Sequence, residues 1–541
     1  MKRLILITLA FALLAVSRVS SQSPSTLPLV QAADLVREGA FRLPGQNPAA
    51  AGDQNTFNGG GEGLGIRPDG SGLYVLGSRS TEQMTAAEVT IPTPGTGTTL
   101  GGLPTAAYKT AHVDPVNGQR AQIGCGGPLG DIFALSDRLL ISAYCYYDAA
   151  NVQIRSHWVR SGLSLNGGTL TGPHEIASYA TGGGKAGWVS RYMAPIPAEW
   201  QALLGGDLLV GNTAVPILSR TSWGQTVTVT TAAAIGSGVA PGKTVLGFTD
   251  VHNIAACQEG QTSTLYTCAD SIGGVEFIPG TRSVLFFGGH SDAPFCYGTD
   301  TNDPAKHLQA DGEGGHFCYD PPGSSKGNHI GPPYVTRVWA FDANDLVAVK
   351  NGTKAMWDVR PYAQWDVTMP FATTATATDP VNAKHVGGTA YDPATKRLYL
   401  SMTEQDAPRP LIQVFKVNVG TVVTPPPPPP PPPPADTDGD GVPDTSDACP
   451  TVAGTGADGC PVVTPPPPPP PPPVDACVAF PGVLTVTSWP GIGEGSRSVG
   501  YRYDVAGAIV KAKDLRVEFN ATRSWRVTLS DERGCVAMVS W

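Results

Sequence analysis

Three stretches of the chain share one sequence frame: GLGIRPDGSGLYV at residues 63–75, GVEFIPGTRSVLF at 274–286 and GTAYDPATKRLYL at 388–400. Each copy begins with Gly, places Pro five residues later and, after four more residues, ends in three apolar residues. The frame predicts a strand, a tight turn opened by proline and a second strand. A single hairpin cannot bury both of its faces, so the copies are expected to stack against one another.

Radial stacking as a β-propeller would bury these hairpins and leave no long exposed sheet edge. Three weaker members extend the series, at residues 131–144, 206–212 and 336–342. Counting them gives six blades, whereas a spacing of about 55 residues gives seven. We therefore predict a mainly β chain with a six- or seven-bladed propeller over residues 28–420. A pair of β-sandwiches or a solenoid is the alternative.

Further segments of this region are EGAFRLPG (38–45), AAEVTIP (86–92), KNGTKAMWDVRPYAQWDV (350–367) and GGTAYDP (387–393). Together they resemble secreted bacterial β-propeller proteins. The resemblance implies the fold of the region and leaves its function open.

Proline runs divide the chain after the propeller. A first linker covers residues 421–434 and finishes in ten consecutive prolines. A second linker, residues 465–473, consists of nine prolines, and residues 435–464 lie between the two. A proline run has fixed φ and no backbone donor, so each run is expected to form a polyproline II rod of roughly 30 Å. The connector is therefore expected to hold two folded bodies apart.

Between the rods, acidic residues fall at positions 1, 3, 5, 9 and 12 of a twelve-residue loop: Asp436, Asp438, Asp440, Asp444 and Asp447. Gly441 occupies position 6, and the backbone carbonyl of Val442 is the expected ligand at position 7. This spacing is typical of a loop that wraps Ca²⁺ in oxygen ligands, although Asp447 is shorter than the usual Glu. We predict a structural calcium ion here; an acidic linker that binds nothing is the alternative.

The run DTDGDGVPDTSDACP, residues 436–450, resembles the thrombospondin type 3 repeat, with the likeness extending over residues 436–461. The resemblance implies a calcium-binding spacer of extracellular or envelope proteins. It also implies that Cys460 pairs with Cys449.

The first 21 residues have the pattern of a signal peptide, with a charged start, an apolar run and small residues before Gln22. Loss of Lys2, Arg3 and Arg18 with this leader would change the formal net charge from −9 to −12. Such a charge disfavours nucleic acid as a partner. No later window approaches the apolar length of a membrane-spanning helix. We expect a secreted or cell-envelope protein without an integral membrane segment.

Ten cysteines in an exported chain favour disulfides over metal or redox sites. Proximity in sequence suggests the pairs Cys125 with Cys145, Cys257 with Cys268, Cys296 with Cys318, Cys449 with Cys460 and Cys477 with Cys535. The sequence alone leaves the connectivity open.

The most unusual part of the propeller region is the Gly- and Pro-rich segment 287–334. It contains four of the nine histidines and several acids: His290, His307, His316, His329, Asp292, Asp311, Glu313 and Asp320. His290 with Asp292, and His316, are candidates for an acid–base or metal site. No established catalytic motif accompanies them, and a polar loop clipped by Cys296 and Cys318 is the favoured interpretation.

Two further candidates lie elsewhere in the propeller region. Asp250 and His252 would share one face of a strand if this segment were extended. Trp357, Tyr362 and Trp365 would offer an aromatic platform for a sugar or peptide if they lay side by side. Structural packing is the favoured interpretation of both.

Residues 474–541 predict a small C-terminal β-domain stapled by Cys477 and Cys535. Alternating apolar residues place strands at 515–519 and 525–529. Six arginines make this module locally basic, which suits either a solvated strand face or attachment to an anionic polymer.

These features predict a calcium-binding multidomain protein whose propeller is displayed to recognise an extracellular protein or glycan. The alternative is a hydrolase or lyase acting on an extracellular polymer, with its site on segment 287–334. A purely architectural matrix component is the third hypothesis.

Overall fold

The computed structural model describes residues 23–45, 56–78, 84–179, 185–312, 314–320, 326–330, 334–371 and 386–419, together with five short backbone segments between 504 and 540. The chain divides into two compact units, Met1–Val423 and Thr424–Trp541.

The described part of the first unit consists mainly of β-strands. They are β1 (Leu35–Arg42), β2 (Leu64–Ile66), β3 (Leu73–Leu76), β4 (Ala86–Val89), β5 (Tyr108–Val113), β6 (Leu129–Ala134), β7 (Arg138–Ala143), β8 (His157–Ser161), β9 (Leu170–His174), β10 (Tyr192–Pro195), β11 (Leu208–Gly211), β12 (Val227–Thr230), β13 (Gly242–Leu246), β14 (Ser271–Phe277), β15 (Ser283–His290), β16 (Phe295–Thr301), β17 (His316–Tyr319), β18 (Lys326–Ile330), β19 (Val335–Asp342), β20 (Ala363–Val367), β21 (Val386–Asp392), β22 (Arg397–Asp406) and β23 (Arg409–Val417).

Among the described residues, these strands form five four-stranded antiparallel sheets arranged as the blades of a β-propeller. The blades have the strand orders β2-β3-β4-β5, β6-β7-β8-β9, β10-β11-β12-β13, β14-β15-β19-β20 and β21-β22-β23-β1. The innermost strands β2, β6, β10, β14 and β21 contact one another in a closed ring. Because β1 pairs with β23, from Leu35 opposite Val417 to Arg42 opposite Leu411, the first strand completes the last blade and closes the propeller.

The prediction of six or seven blades was wrong, and the fourth blade explains why. Residues 336–342, which were counted as a separate blade, lie in β19, the third strand of the blade that begins with β14. The sequence between β15 and β19 forms an additional three-stranded sheet, ordered β17-β16-β18. This insertion separates two neighbouring strands of one blade by more residues than a usual connection, so one blade resembled two in the sequence.

The three strong copies of the frame are the first two strands of blades one, four and five, as predicted. Their initial glycines lie where the inner strands converge. A Cβ on Gly388 would be 2.7 Å from the backbone nitrogen of Leu64, and a Cβ on Gly274 would collide with the side chain of Thr389. The frame therefore begins with Gly because a neighbouring inner strand occupies the space of a side chain.

Short helices pack against the sheets: α1 (Ala198–Leu204), α2 (Pro216–Ser219) and α3 (Ala343–Lys350). Single 3-10 turns lie at Pro24–Thr26, Ala32–Asp34, Leu100–Gly102, Gln119–Ile123, Lys185–Trp188, Ala232–Ala234, Pro304–Lys306 and Met356–Asp358. The largest apolar cluster includes Trp200 of α1, Leu346 of α3 and Trp339 of β19. Burial of such large side chains between neighbouring blades is the main force that holds the ring together.

The disulfides Cys125–Cys145, Cys257–Cys268 and Cys296–Cys318 are formed, as predicted. The predicted pairs Cys449–Cys460 and Cys477–Cys535 lie outside the described residues. Within the parts of the chain that the structure describes, no helix is long and apolar enough to cross a membrane.

In the second unit the structure describes two short paired strands and one three-stranded antiparallel sheet. The strands are Asp504–Val505, Ala508–Ile509, Asp514–Phe519, Trp525–Ser530 and Val536–Ser540. Leu515 pairs with Leu529, so these two strands lie where the alternation of apolar residues predicted them.

Candidate functional site

A cavity of about 200 Å³ lies on the face of the propeller at which the inner strands begin. All five blades contribute to its wall, which places the cavity on the axis of the ring. The polar and aromatic lining residues include Glu62, Tyr144, Tyr146, Arg191, Thr213, Asp270, Ser271 and Thr403. These residues lie just before or at the start of an inner strand, or near the end of a second strand, where connections between strands converge.

Arg191 places a guanidinium in the cavity wall. Its side chain is held from three directions: Nη2 lies 3.9 Å from Glu62 Oε2, Nη1 donates to the carbonyl of Thr213 at 3.3 Å, and the guanidinium carbon lies 5.5 Å from the centre of the Tyr144 ring. Arg191 is only 8% exposed. A charge fixed in this way can orient a polar ligand without a further loss of side-chain entropy.

Asp270 connects the cavity to a buried histidine. It accepts hydrogen bonds from the backbone N–H and hydroxyl of Thr267, each at 2.9 Å, and its Oδ2 lies 2.8 Å from Nδ1 of His290. The other ring nitrogen of His290, Nε2, lies 3.0 Å from Oδ1 of Asp292. Because both ring nitrogens face carboxylate oxygens, the imidazolium form satisfies both contacts.

The electrostatic environment agrees with a charged His290. Burial lowers the pKa of His290, but its hydrogen bond to Asp270 and the negative charge of that residue outweigh burial, and the pKa is raised overall. The side chains of Asp270 and His290 are fully buried, whereas that of Asp292 is 62% exposed. This row of groups can therefore relay charge or a proton between the cavity wall and solvent.

Arg337 extends the row on the solvent side. Its Nη1 lies 3.4 Å from Asp292 Oδ1, and its Nε donates to Asp366 Oδ1 at 2.7 Å. The hydrogen bond from His290 lowers the pKa of Asp292. Asp292 is thus held ionised by two cationic neighbours.

Two other carboxyl groups of the inner strands, those of Asp131 and Glu276, are buried away from the cavity. Asp131 on β6 accepts from the backbone N–H groups of Leu64, Ile132 and Met193, and so joins the inner strands of three blades. Burial raises its pKa to about 7. Burial likewise raises the pKa of Glu276 on β14 to about 8. Neither residue lines the cavity, so we assign both a structural role rather than a role in ligand binding.

The structure separates the histidines of segment 287–334. His290 lies in β15 beside the cavity wall, whereas His316 lies on β17 of the inserted sheet, with its Nδ1 4.0 Å from Glu259. His307 Nδ1 accepts from the backbone N–H of Tyr319, and His329 is paired with Asp320 at 2.9 Å. His290 and Asp292, which the sequence offers as candidates for an acid–base or metal site, are hydrogen-bonded to each other, whereas the third candidate, His316, lies elsewhere. Glu313 lies outside the described residues.

Asp250 and His252 do not share a strand. They lie in a turn, where Asp250 accepts from the N–H of Val251 at 3.0 Å and the His252 ring stacks on Trp357 at 4.2 Å. The extended conformation was wrong because the turn is closed by the N–H of His252, which donates to the carbonyl of Thr249.

The predicted aromatic platform is also not formed. Trp357 packs against His252, whereas Tyr362 and Trp365 belong to a different apolar cluster. The Tyr362 hydroxyl donates to the carbonyl of Val30 at 2.7 Å, which ties blade four to the N-terminal segment. These rings serve packing, which was the favoured interpretation.

Sequence reasoning missed Glu62, Arg191 and Asp270, which are distant in the chain and meet only at the axis. A signal was available for two of them, since Glu62 immediately precedes the first copy of the frame and Asp270 lies four residues before the second. In every blade, the residues just before the inner strand lie on the same face of the propeller.

The predicted calcium ligands Asp436, Asp438, Asp440, Val442, Asp444 and Asp447 lie outside the described residues. Within the described ranges, no group of three or more His, Cys, Asp or Glu side chains is arranged to hold a metal ion. No protein-family model matches the chain, and no curated protein matches it.

Proposed function

We propose that this chain is an exported, calcium-binding recognition protein whose propeller takes one unit of an extracellular glycan or protein into its axial cavity. The observation that supports this proposal most is the cavity itself, with Arg191, Glu62 and Asp270 brought to one place by different blades. Converging polar groups in a concave site on a rigid scaffold are the usual features of a ligand site.

The size of the cavity favours one unit of a larger ligand. Sites for drug-sized molecules measure roughly 300–1,000 Å³, and this cavity of about 200 Å³ is smaller. Since a water molecule takes about 30 Å³ in the liquid, the cavity has room for about seven waters. One sugar residue or one amino-acid side chain is of that size.

The rest of the chain supports display outside the cell. The three disulfides of the described part are compatible with an oxidising compartment. The acidic loop at residues 436–447 has the spacing of a calcium site between two proline rods. A structural Ca²⁺ would reduce the repulsion among its five carboxylates and stiffen the connector.

A cavity-filling substitution tests the proposal. Ala214 lines the cavity, and Ala214→Phe would fill it with a ring. Ala394, in the turn between β21 and β22, is exposed and lies at the opposite end of an inner strand, so Ala394→Phe is the matched control. We expect the wild type and the control to bind an immobilised glycan array or extracts of envelope polymer, and Ala214→Phe to lose that binding. Equal binding by all three proteins would contradict the proposal.

A hydrolase or lyase that acts on the same polymer is the second candidate, favoured by the contact between His290 and the cavity-lining Asp270. Release of new reducing ends from a polysaccharide panel would detect it. Loss of release in His290→Gln, with full release in His316→Gln, would place the chemistry at the cavity rather than on the inserted sheet. Binding without release in the wild type would exclude this candidate.

A further inference from the structure

The connection between β7 and β8 exposes apolar side chains beside the cavity. We call residues 145–155 the rim loop. Tyr146 is 43% exposed and Tyr147 71%, and Val152 and Ile154 follow at 58% and 41%. Tyr146 also lines the cavity, so the cavity wall and the exposed apolar surface are continuous at this residue.

Buried polar side chains fix the shape of the rim loop from within. The carboxylate of Asp148 accepts from the N–H groups of Val152 and Gln153, at 2.8 and 3.0 Å. The amide of Gln153 accepts from the N–H of Cys145 and donates to the carbonyl of Ala143. Asp148 and Gln153 are 4% and 1% exposed. Irregular backbone is thus held by hydrogen bonds that a disordered loop would lack.

The third blade holds the same loop from outside. Ser219 donates to the carbonyl of Tyr146 at 2.5 Å, the N–H of Asp148 donates to the carbonyl of Leu218 at 2.6 Å, and Arg220 donates to the carbonyl of Ala149 at 2.9 Å. Cys145 is bonded to Cys125. The backbone that carries both tyrosines is therefore fixed before any ligand arrives, so binding does not have to order the loop.

We infer that the ligand is an uncharged polysaccharide bound at two adjoining subsites, with one sugar in the axial cavity and the next stacked on Tyr146 and Tyr147. The inference rests on the proposed function, because it assigns the ligand class of the same cavity. A sugar ring has an apolar C–H face and a rim of hydroxyl groups. The C–H face can stack on a tyrosine ring, and the hydroxyl groups can hydrogen-bond to the charged and hydroxyl groups of the cavity wall.

The charges in the cavity wall favour an uncharged sugar. Arg191 lies beside Glu62, and Asp270 is paired with His290, so each charge has an opposite neighbour. A cation that is already paired offers little attraction to an anionic sugar. The wall instead offers hydrogen-bonding groups to hydroxyls.

The rim loop offers few free backbone groups with which a peptide strand could form hydrogen bonds. The rim loop contains no strand, and the backbone N–H groups of Asp148, Asn151, Val152 and Gln153 already donate within the protein. Binding by strand addition needs an open row of backbone donors and acceptors. The exposed groups of the loop are instead side chains that offer area for stacking.

Calorimetric titration of the full chain with cello-, chito-, xylo- and laminari-oligosaccharides of increasing length tests this two-subsite arrangement. At least one series should bind, with affinity rising from one sugar to two as the second subsite is filled and little further with the third sugar. Tyr147→Ala should weaken trisaccharide binding about tenfold, the effect of one aromatic contact, and leave monosaccharide binding unchanged. Tyr297→Ala removes a tyrosine that is 49% exposed on the inserted sheet and should change neither.

The outcomes separate this inference from the proposed function. If Ala214→Phe abolishes binding of a protein or peptide but no oligosaccharide binds, the polysaccharide assignment is wrong and the cavity remains a recognition site. If oligosaccharides bind and Tyr147→Ala has no effect at any length, the second subsite is wrong. If no ligand binding depends on Ala214, both fail. A midpoint of thermal unfolding that is the same for Tyr147→Ala and the wild type would show that the exposed substitution leaves the fold intact.

Discussion

Replacing Asp131 by alanine should destabilise the propeller more than any exposed substitution on the same blade. Oδ1 of Asp131 accepts from Leu64 and Ile132, at 3.2 and 2.9 Å, and Oδ2 accepts from Met193 at 3.0 Å. Alanine would leave three buried N–H groups without this acceptor. At about 1–3 kcal/mol for each buried unpaired group, and without full additivity, we expect a loss of roughly 3–6 kcal/mol.

The size of the effect should depend on how many acceptors remain. Asp131→Asn keeps one oxygen and presents an N–H₂ group in place of the other, so about one backbone N–H would lose its acceptor. Its expected cost is about 1–3 kcal/mol. Asp137→Ala is the control, because Asp137 lies in the turn between β6 and β7 with a 61% exposed side chain that pairs with its neighbour Arg138. We expect no measurable change from it.

Urea denaturation of the full-length variants, followed by tryptophan fluorescence, would measure these differences at one pH. The expected order of stability is wild type equal to Asp137→Ala, then Asp131→Asn, then Asp131→Ala. A stability of Asp131→Ala within error of the control would refute the assignment of Asp131 as the group that joins three blades.

Three further predictions follow from the buried acid, the disulfide and the connector. Burial raises the pKa of Glu276 from 4.5 to about 8, so the folded state binds this proton more tightly than the unfolded chain. The contribution of Glu276 to stability should therefore fall as pH rises from 4.5 towards 8. Urea midpoints at the two ends of this range should differ less in Glu276→Gln than in the wild type, and an equal difference would contradict the shift. Replacing Cys125 and Cys145, which are 20 residues apart, by serine should cost about 3 kcal/mol by loss of the cross-link; an unchanged urea midpoint would contradict this. Calorimetric titration with Ca²⁺ should give binding heat that Asp438→Ala abolishes and the exposed control Asp303→Ala retains. No heat from the wild type at about millimolar Ca²⁺ would leave the connector as a passive acidic linker.

The repeat frame predicted the propeller because its physical cause is local. Gly274 and Gly388 mark crowded inner strands, and the following proline turn returns the chain into the second strand. The number of blades depends on a non-local pairing, that of β15 with β19 across an inserted sheet. The spacing of motifs along the chain does not distinguish an insertion within one blade from an additional blade.

The candidate site shows the same division between local and distant causes. His290 and Asp292, which form a hydrogen bond, are only two residues apart, so the sequence could name them together as candidates. The partner that joins His290 to the cavity is Asp270, 20 residues earlier on a neighbouring strand connection. Arg191 and Glu62 meet only because the ring closes. Tyr146 and Tyr147 follow a cysteine at the end of an apolar strand, where the sequence alone suggests that the strand continues.

Hydrogen–deuterium exchange of the full chain, with and without the oligosaccharide that binds best in the length series, tests the central claim most directly. If the axial cavity is the recognition site, bound sugar should slow exchange on the cavity face, at residues 143–155, 212–215 and 268–271. Exchange should be unchanged in the turns at the opposite end of the inner strands, at 68–72, 279–282 and 393–396. Protection confined to those turns, or to the strands of the inserted sheet at 295–301, 316–319 and 326–330, would contradict the assignment.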